Sequence, residues 1–186
     1  MYYGDEIGMH DVRIPVERIQ DPFGKRVPRM GRDPERTPMQ WDSGVNAGFT
    51  PAQSTPWLPI AEDFQQINIA AQRNDPSSML SLTRKLLALR KRIRALNAGG
   101  YLSIDGMPDS CLAYVRQLGK KRYLIALNFS GTEQTLSLPQ LGPKMKADTA
   151  QILLSTHLDR DMPINLNSLT LRADEGCIIA LDDQVT

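Results

Sequence analysis

Residues 31–49 read GRDPERTPMQWDSGVNAGF, and this stretch decides how the rest of the sequence is interpreted. Between Arg32 and Asp42 it combines two arginines, two prolines and a tryptophan, with neither the period of a helix nor the alternation of a strand. It therefore predicts an irregular segment. Because surface loops often carry function, this concentration of charged and aromatic side chains indicates a loop with a specific task.

The quoted stretch belongs to a longer region, residues 1–75, that is rich in residues that break helices and strands. It contains eight of the thirteen prolines: Pro15, Pro22, Pro28, Pro34, Pro38, Pro51, Pro56 and Pro59. It also keeps the aromatic residues that disordered segments usually lack, namely Tyr2, Tyr3, Phe23, Trp41, Phe49, Trp57 and Phe64. We therefore predict a long, ordered loop that packs on another surface.

A helix is predicted directly after this loop. Asp75 is a suitable N-cap and Pro76 a suitable first helical residue. An apolar face with helical spacing follows, formed by Met79, Leu82, Leu86, Leu89, Ile93 and Leu96. Gly99 and Gly100 end the pattern. A shorter helical turn is expected over residues 67–72.

Seven short runs rich in β-branched or aromatic residues follow Gly100. They are YLSIDG, CLAYVRQ, KRYLIALNFS, TEQTLSLPQ, AQILLST, LTLRA and GCIIALDD. Tight-turn sequences such as LGKK and SGT separate some of them. The regular spacing predicts a small antiparallel sandwich or barrel.

Composition narrows the functional classes. The chain has 186 residues, a formal net charge of +1 and no apolar run long enough for a membrane span, so neither nucleic acid nor membrane is an expected partner. The N-terminus does not have the pattern of a signal peptide.

Cys111 and Cys177 are expected to be free thiols in a cytoplasmic protein, with one long-range disulfide as the open alternative. His10 and His157 lack metal-ligand spacing, so we expect neither metal nor cofactor.

The motifs resemble a known family. YYGDEIGM at residues 2–9, GRDPERTPMQWD at 31–42 and NAGF at 46–49 are similar to the α-glucosidase and oligo-1,6-glucosidase branch of the α-amylase superfamily, glycoside hydrolase family 13. PWLPI at 56–60 and DPSSMLSLTRKLLALRK at 75–91 continue the resemblance. It runs in order along almost the whole chain and weakens after about residue 140.

The resemblance implies an α+β architecture. On the family's plan, Met1–Tyr3 corresponds to the end of the last strand of a (β/α)8 barrel, residues 4–74 to the loop after it and residues 76–97 to the last barrel helix. Residues 1–98 would then be the C-terminal end of the barrel, and residues 99–186 a C-terminal antiparallel β-sandwich domain. Loops that follow barrel strands build the active-site face, which explains the composition of the loop.

The same plan implies that the catalytic carboxyls are absent from this sequence. Retaining glycosidases use a nucleophile and an acid/base, and in this family both follow earlier barrel strands, as does a third, transition-state-stabilising Asp. The sequence therefore corresponds to the C-terminal third of a retaining α-glucosidase, and we expect it to be inactive alone. Whether Met1 is a natural start is left open.

The resemblance also assigns site residues. Arg36 matches an arginine that helps to bind the non-reducing-end glucose, and its alternative is an ion pair with Asp33 or Glu35. Arg32 matches an arginine at the entrance, near the leaving sugar, and its alternative is a solvated side chain. Asp33 is grouped with these substrate-binding residues because it can orient the arginines.

Other polar and aromatic residues of the loop have structural interpretations. Trp41 is expected to be a packed anchor, although stacking on a sugar is the alternative. Gln40 is expected to hydrogen-bond within the loop. Asp5 and Glu6 are sequence neighbours whose side chains tend to diverge, so we expect them to bind loop amides and not to form a catalytic pair.

Two further hypotheses stay open. The chain could be a non-catalytic β-sandwich module for carbohydrate or protein binding, which a surface pair of exposed aromatics would favour; Tyr123 and Phe129 are expected to be buried. It could also be part of a related transferase or isomerase of the trehalose synthase or sucrose isomerase type. Self-association through an exposed helix face is a further expectation.

Overall fold

A computed structural model describes residues 2–27, 30–138 and 150–181. The chain divides into two compact units, Met1–Thr83 and Arg84–Thr186. Parts of three predicted strands, at residue 1, residues 139–140 and residues 182–183, lie outside the described residues. No helix among the described residues is long and apolar enough to cross a membrane.

The first unit is an irregular but hydrogen-bonded segment, as the density of breakers predicts. Apart from short 3-10 turns it contains helix α1 (Pro22–Arg26), helix α2 (Ile69–Gln72) and the start of a longer helix. Its described residues form no strand, and Tyr2 and Tyr3 lie in irregular backbone. The structure therefore does not confirm the barrel strand that the family plan places at the start of the chain, and that strand stays a prediction.

A small core holds the ends of this unit together. Ile7, Met39, Ile69 and Leu80 form one buried cluster, although they come from distant parts of the sequence. The Gln72 amide connects two of the same segments, because its Nε2 donates to the Ile7 carbonyl at 2.8 Å and its Oε1 accepts from the Leu80 amide at 3.0 Å. The loop therefore has a defined conformation.

The predicted helix over residues 76–97 is two helices, α3 (Met79–Arg92) and α4 (Arg94–Ala98). It starts late because the Asp75 carboxylate accepts from the Ser77 amide at 2.8 Å and closes a separate turn before α3. It is interrupted because Ile93 has extended dihedrals, φ −101° and ψ 99°. The prediction of one continuous helix was therefore wrong at both its start and its interior.

The described residues of the second unit form seven strands, one for each run that the sequence indicates. They are β1 (Gly100–Ser103), β2 (Cys111–Leu118), β3 (Lys121–Asn128), β4 (Gln134–Leu136), β5 (Gln151–Ser155), β6 (Leu169–Leu171) and β7 (Gly176–Ala180). Five form an antiparallel sheet of order β1-β2-β3-β7-β5, and β4 pairs with β6 in a second sheet. The chain is therefore α+β with an antiparallel sheet.

Both sheets of this unit contribute to one hydrophobic cluster. Leu124, Ile152 and Ile179 of the five-stranded sheet share it with Leu136 and Leu171 of the two-stranded sheet. On the other face of the large sheet, α4 packs through a smaller cluster made of Ala95, Tyr123 and Ala180, with Ile93, Leu96 and Leu153 at its margin. This packing accounts for the helix break, since Ile93 itself reaches the cluster.

The two cysteines are not joined. Cys111 is half-buried and Cys177 is buried, and both are free thiols, as predicted. Burial raises the pKa of Cys177, with a smaller contribution from the charge of Glu175. Phe129, predicted to be buried, is 65% exposed because β3 ends one residue before it. Tyr123 is buried as predicted.

Candidate functional site

Two buried aspartates organise the loop around the motif at residues 31–42. The Asp33 carboxylate, 3% exposed, accepts from the Gln20 amide at 2.6 Å and from the Asp21 amide at 2.9 Å. Asp21 is 2% exposed and is the N-cap of α1, accepting from the Phe23 amide at 3.1 Å. Each carboxylate therefore satisfies backbone donors of the loop, and Asp21 also satisfies one in the first turn of α1.

Asp21 also holds Arg32. Its oxygens accept from the Arg32 backbone amide at 2.8 Å and from the guanidinium Nε and Nη2 at 3.2 and 3.3 Å. Hydrogen bonds from Arg32 lower the pKa of Asp21, and the same pair raises the pKa of Arg32. The Arg32 side chain is still 60% exposed, so it is fixed at one end and accessible at the other.

A close backbone contact joins the main chain at Gly24 to the main chain at Gly31. A Cβ on Gly31 would lie 2.8 Å from the Gly24 Cα, which is closer than real Cβ atoms approach. The absence of side chains on Gly24 and Gly31 therefore lets the main chain at these two residues come into contact. This contact explains why the motif begins with glycine.

Arg36 differs from Arg32 in the surroundings of its guanidinium. It ends a 3-10 turn, Pro34–Arg36, in which its amide donates to the Asp33 carbonyl at 3.0 Å. Among the described residues the exposed side chain makes neither a hydrogen bond nor an ion pair, so the alternative pairing with Asp33 or Glu35 is not formed. Burial and Tyr2 raise the pKa of Tyr3, and the charge of Arg36 opposes this rise.

Two concave surfaces include residues of the motif. A cleft of about 580 Å³, a size typical of ligand sites, is lined in part by Arg13, Ile19, Gly24, Gly31 and Asp33. A second pocket of about 60 Å³ includes the residues on either side of Arg36, and its lining contains Tyr2, Tyr3, His10, Pro34, Glu35 and Thr37. Gly31, Asp33, Pro34, Glu35 and Thr37 of the motif thus line these two spaces, whereas Arg32 and Arg36 are not among the lining residues of either one.

The structural interpretations of the remaining residues are mostly supported. The Asp5 and Glu6 carboxylates accept from the Tyr2 and Gly4 amides at 2.7 and 2.8 Å, as expected for side chains that satisfy the loop. Gln40 is fully buried and donates to the Ile67 carbonyl at 2.6 Å.

Trp41 differs from its prediction. Its indole is 48% exposed, so it is not a packed anchor within this chain.

Sequence reasoning missed Asp21 as a site residue and assigned the orientation of the arginines to Asp33. In the structure Asp33 binds backbone amides, and Asp21 pairs with Arg32. The available signal was the sequence Asp-Pro at residues 21–22, an N-cap followed by a proline at the first helical position.

Comparison with known proteins gives this geometry a context. A family model described as "Alpha amylase, catalytic domain" matches residues 1–99. The chain is 38% identical over 143 residues to an alpha-glucosidase of Apis mellifera, covering 74% of this chain and 25% of that protein. It is 33% identical over 196 aligned residues to an oligo-1,6-glucosidase of Parageobacillus thermoglucosidasius, covering 95% of this chain and 34% of the relative.

Solved structures of named carbohydrate-active enzymes also align with this chain. A trehalose-6-phosphate hydrolase of Bacillus licheniformis aligns with a TM-score of 0.83 and 27% identity over 98% of this chain and 36% of its own. An isomaltulose synthase of Erwinia rhapontici aligns with a TM-score of 0.81 and 29% identity over 98% of this chain and 35% of its own.

An ordered arginine-bearing loop followed by an antiparallel β unit is thus shared with carbohydrate-active enzymes. This chain belongs to the α-glucosidase branch of the α-amylase family, glycoside hydrolase family 13. It spans about a quarter to a third of the length of the relatives given above.

Proposed function

We propose that the chain is the C-terminal part of a retaining α-glucosidase that acts on malto- or isomalto-oligosaccharides. In this proposal residues 1–98 complete a (β/α)8 barrel with its last strand, active-site loop and last helix, and residues 99–186 form a β-sandwich domain. The names of the relatives and the α+β fold support the proposal. A cytoplasmic location and self-association through α3 also stay predictions.

The observation that carries the proposal is the exposed guanidinium of Arg36, which has no hydrogen-bond or ion-pair partner among the described residues. The aspartates around it are buried and hydrogen-bonded, yet this cation at the end of the Pro34–Arg36 turn is left exposed. A guanidinium with several free N–H groups can donate to two sugar hydroxyls at once, or to a hydroxyl and a carboxylate. Its proposed role is to fix the non-reducing-end glucose.

Arg32 has a different proposed role. Because Asp21 fixes its Nε and one Nη, only the outer part of the guanidinium is free to donate. This arrangement suits a side chain that lines the entrance and contacts the leaving sugar. Asp33 then acts indirectly, by holding the backbone of residues 20–21 against the motif.

The proposed reaction is a double displacement that retains configuration at the anomeric carbon. It requires a carboxylate nucleophile and a carboxylic acid/base roughly 5–5.5 Å apart. We assign neither role to a residue of this chain and place both in the preceding part of the barrel. This chain contributes donors that position the sugar, which raises the fraction of bound substrate in a reactive geometry.

A related isomerase or transferase is the second candidate. Its support is the isomaltulose synthase of Erwinia rhapontici, which matches this chain over nearly its whole length. The hydrolases are favoured because the two relatives found by sequence and given above, at 38% and 33% identity, are both named as glucosidases.

The test is a chimera in which residues 1–186 replace the matching third of the Parageobacillus oligo-1,6-glucosidase. We expect Arg36→Ala to lower kcat/KM for isomaltose and maltose about tenfold to a hundredfold, as loss of a charged hydrogen-bond donor predicts. Arg84→Ala is the matched control, because Arg84 is also exposed and without a partner among the described residues. An active chimera in which both variants behave alike would contradict the role of Arg36.

A further inference from the structure

A groove of about 260 Å³ lies between α3 and β5 in the second unit. All of its lining residues fall within Arg84–Thr186, so it belongs to one compact unit of the chain. Four of them come from α3 and two from β5, namely Lys85, Ala88, Leu89, Arg92, Leu153 and Leu154.

The α3 side of the groove combines charge with open space. Lys85, Ala88 and Arg92 are spaced by three and four residues, so they share one face of the helix, with the two cations about 10 Å apart along its axis. The small side chain of Ala88 leaves room between the two long side chains. Leu89 is buried and the two leucines of β5 are half-buried. The groove therefore has apolar walls and a cation at each end of the α3 stripe.

The charge of these two cations is not neutralised within the described part of the chain. Lys85 and Arg92 are exposed, and their side chains make neither a hydrogen bond nor an ion pair with any described residue. The sequence has no Asp or Glu between Pro76 and Ile104. The same stretch carries four more exposed cations, namely Arg84, Arg90, Lys91 and Arg94. A concentration of positive charge of this kind attracts an anionic partner.

We propose that this groove binds an acidic amphipathic helix of a partner protein. Two carboxylates on such a helix, at the spacing of Lys85 and Arg92, can pair with both cations. An apolar side chain between the carboxylates then fills the space over Ala88, as in other complexes in which a helix lies in a groove. Charge complementarity and the leucines of β5 together select a polypeptide that is both acidic and apolar.

Other anionic partners fit this groove less well. Its volume lies below the roughly 300–1,000 Å³ of most small-molecule sites. A lipid surface is flat, so it would contact the outermost side chains of α3 and leave the space over Ala88 empty. A nucleic-acid backbone supplies charge but no aliphatic side chain, and α3 has no aromatic residue on which a base could stack.

The proposal does not depend on the role of Arg36, and fluorescence anisotropy of a labelled helical peptide tests it on the 186-residue chain. The peptide has leucines along one face, flanked by two glutamates at the spacing of Lys85 and Arg92. Lys85→Gln removes one lining cation, and Ala88→Gln fills the stripe without changing the charge. Lys91→Gln is the matched control, because Lys91 is an exposed cation of α3 that does not line the groove. Far-UV circular dichroism checks that each variant is folded.

We expect the wild type to bind the peptide and Lys85→Gln to bind it about threefold to fivefold more weakly, as loss of one ion pair predicts. Ala88→Gln should lose a similar factor, because the apolar side chain of the peptide no longer fits. Lys91→Gln should bind like the wild type. No binding by the wild type, equal losses for Lys85→Gln and Lys91→Gln, or unchanged binding by Ala88→Gln would each overturn the proposal.

The other possible occupants of the groove are measured in the same way. Stronger Lys85-dependent binding of poly(U) RNA or of vesicles that contain phosphatidylglycerol would overturn the proposal, as would self-association of the chain that Lys85→Gln abolishes. The chimera with the Parageobacillus enzyme is titrated in parallel and should bind the peptide as the isolated chain does. Binding by the isolated chain alone would show that the preceding part of the polypeptide occupies the groove, which would also overturn the proposal.

Discussion

Asp21 and Asp33 are both nearly inaccessible, yet neither is placed for proton transfer. Asp33 accepts only backbone amides, and Asp21 divides its two oxygens between backbone amides and Arg32. Buried carboxylates without partners are costly, so these hydrogen bonds are what permits them in an irregular segment. Arg36 differs from these carboxylates, because its side chain is exposed and has no hydrogen-bond or ion-pair partner among the described residues.

The substitution Asp21→Asn tests whether the charge of Asp21 stabilises the loop. Because the pKa of Asp21 is lower in the folded state than the usual value of 3.8, its contribution is present above pH 3.8 and is lost as the pH falls below it. We expect the variant to have a lower Tm than the wild type at pH 7, and the difference to shrink as the pH approaches 3. Thermal unfolding followed by circular dichroism measures both.

Asp11→Asn is the control for Asp21→Asn, since Asp11 is exposed. It should leave the Tm unchanged across the same pH range. A Tm difference for Asp21→Asn that stays constant between pH 7 and pH 3 would show that the charge of Asp21 is not what stabilises the loop.

For single residues, the sequence predicted which side chains have structural roles better than it predicted which side chains pair with each other. The structural roles of Asp5, Glu6 and Gln40 followed from local arguments, and the structure supports them. The pairing of Arg32 with Asp21 joins residues eleven positions apart through a turn that has no periodic pattern. Such a contact depends on tertiary geometry, so spacing alone could not predict it.

Among the secondary-structure elements, the strands were predictable and the helix boundaries were not. Each of the seven β-rich runs contains one observed strand, because alternation and turn residues act locally. The break at Ile93 is different, since it comes from packing of Ile93 and Leu96 with Tyr123. Periodicity along residues 79–96 continues through the break, and therefore conceals it.

The junction between α4 and β1 has room only for glycine. A Cβ on Gly99 would lie 2.8 Å from the Gln117 carbonyl oxygen and closer still to that of Ala95. We therefore expect Gly99→Ala to lower the free energy of unfolding by about 1–3 kcal/mol, the usual cost of overpacking. Urea denaturation measures this change.

Gly131→Ala is the matched control, because among the described residues beyond its chain neighbours no atom lies within 4 Å of the Cβ it would add. It should change the free energy of unfolding by less than about 0.5 kcal/mol. Equal effects of the two substitutions would mean that the contacts at the junction relax without cost.

A buried ionic network connects β5, β7 and the loops between β5 and β7. Glu175 is fully buried, and its oxygens accept from Arg160 at 2.6 Å, Arg172 at 2.7 Å and the Ser155 hydroxyl at 2.5 Å. Burial alone would raise the pKa of Glu175, but hydrogen bonds from Arg172 and Ser155 and the charge of Arg160 lower it to about 2. Arg172 also binds Asp159 at 2.6 and 2.7 Å.

Glu175→Gln should destabilise the chain by about 3–5 kcal/mol at pH 7, because two arginines would lose a buried counter-ion. The folded-state pKa is depressed, so the stabilisation is present above pH 4.5 and is lost as the pH falls towards 2. Urea titrations at pH 7 and pH 3 measure it. Glu133→Gln, at an exposed position, should have no effect. If Glu175→Gln changed the free energy of unfolding as little as Glu133→Gln does, the network would be neutral for stability.

For the whole molecule, the sequence indicates the family more firmly than it indicates the organisation of the chain. Ordered motifs along residues 2–91 identify the α-amylase family, and comparison with known proteins confirms it. The proposed division at residues 98 and 99 stays a prediction, while contacts divide the chain after Thr83. α3 crosses that boundary, and its apolar face is partly exposed at Met79 and Leu86.

The central claim is that this chain supplies a sugar-positioning arginine while carboxyls from a preceding stretch of polypeptide perform the chemistry. The most direct measurement is glucose release from isomaltose and maltose by the isolated chain, beside the chimera with the Parageobacillus enzyme at equal concentration. We predict none from the isolated chain and turnover from the chimera. Glucose release by the isolated 186-residue chain would contradict the account, because it would place the catalytic pair within these residues.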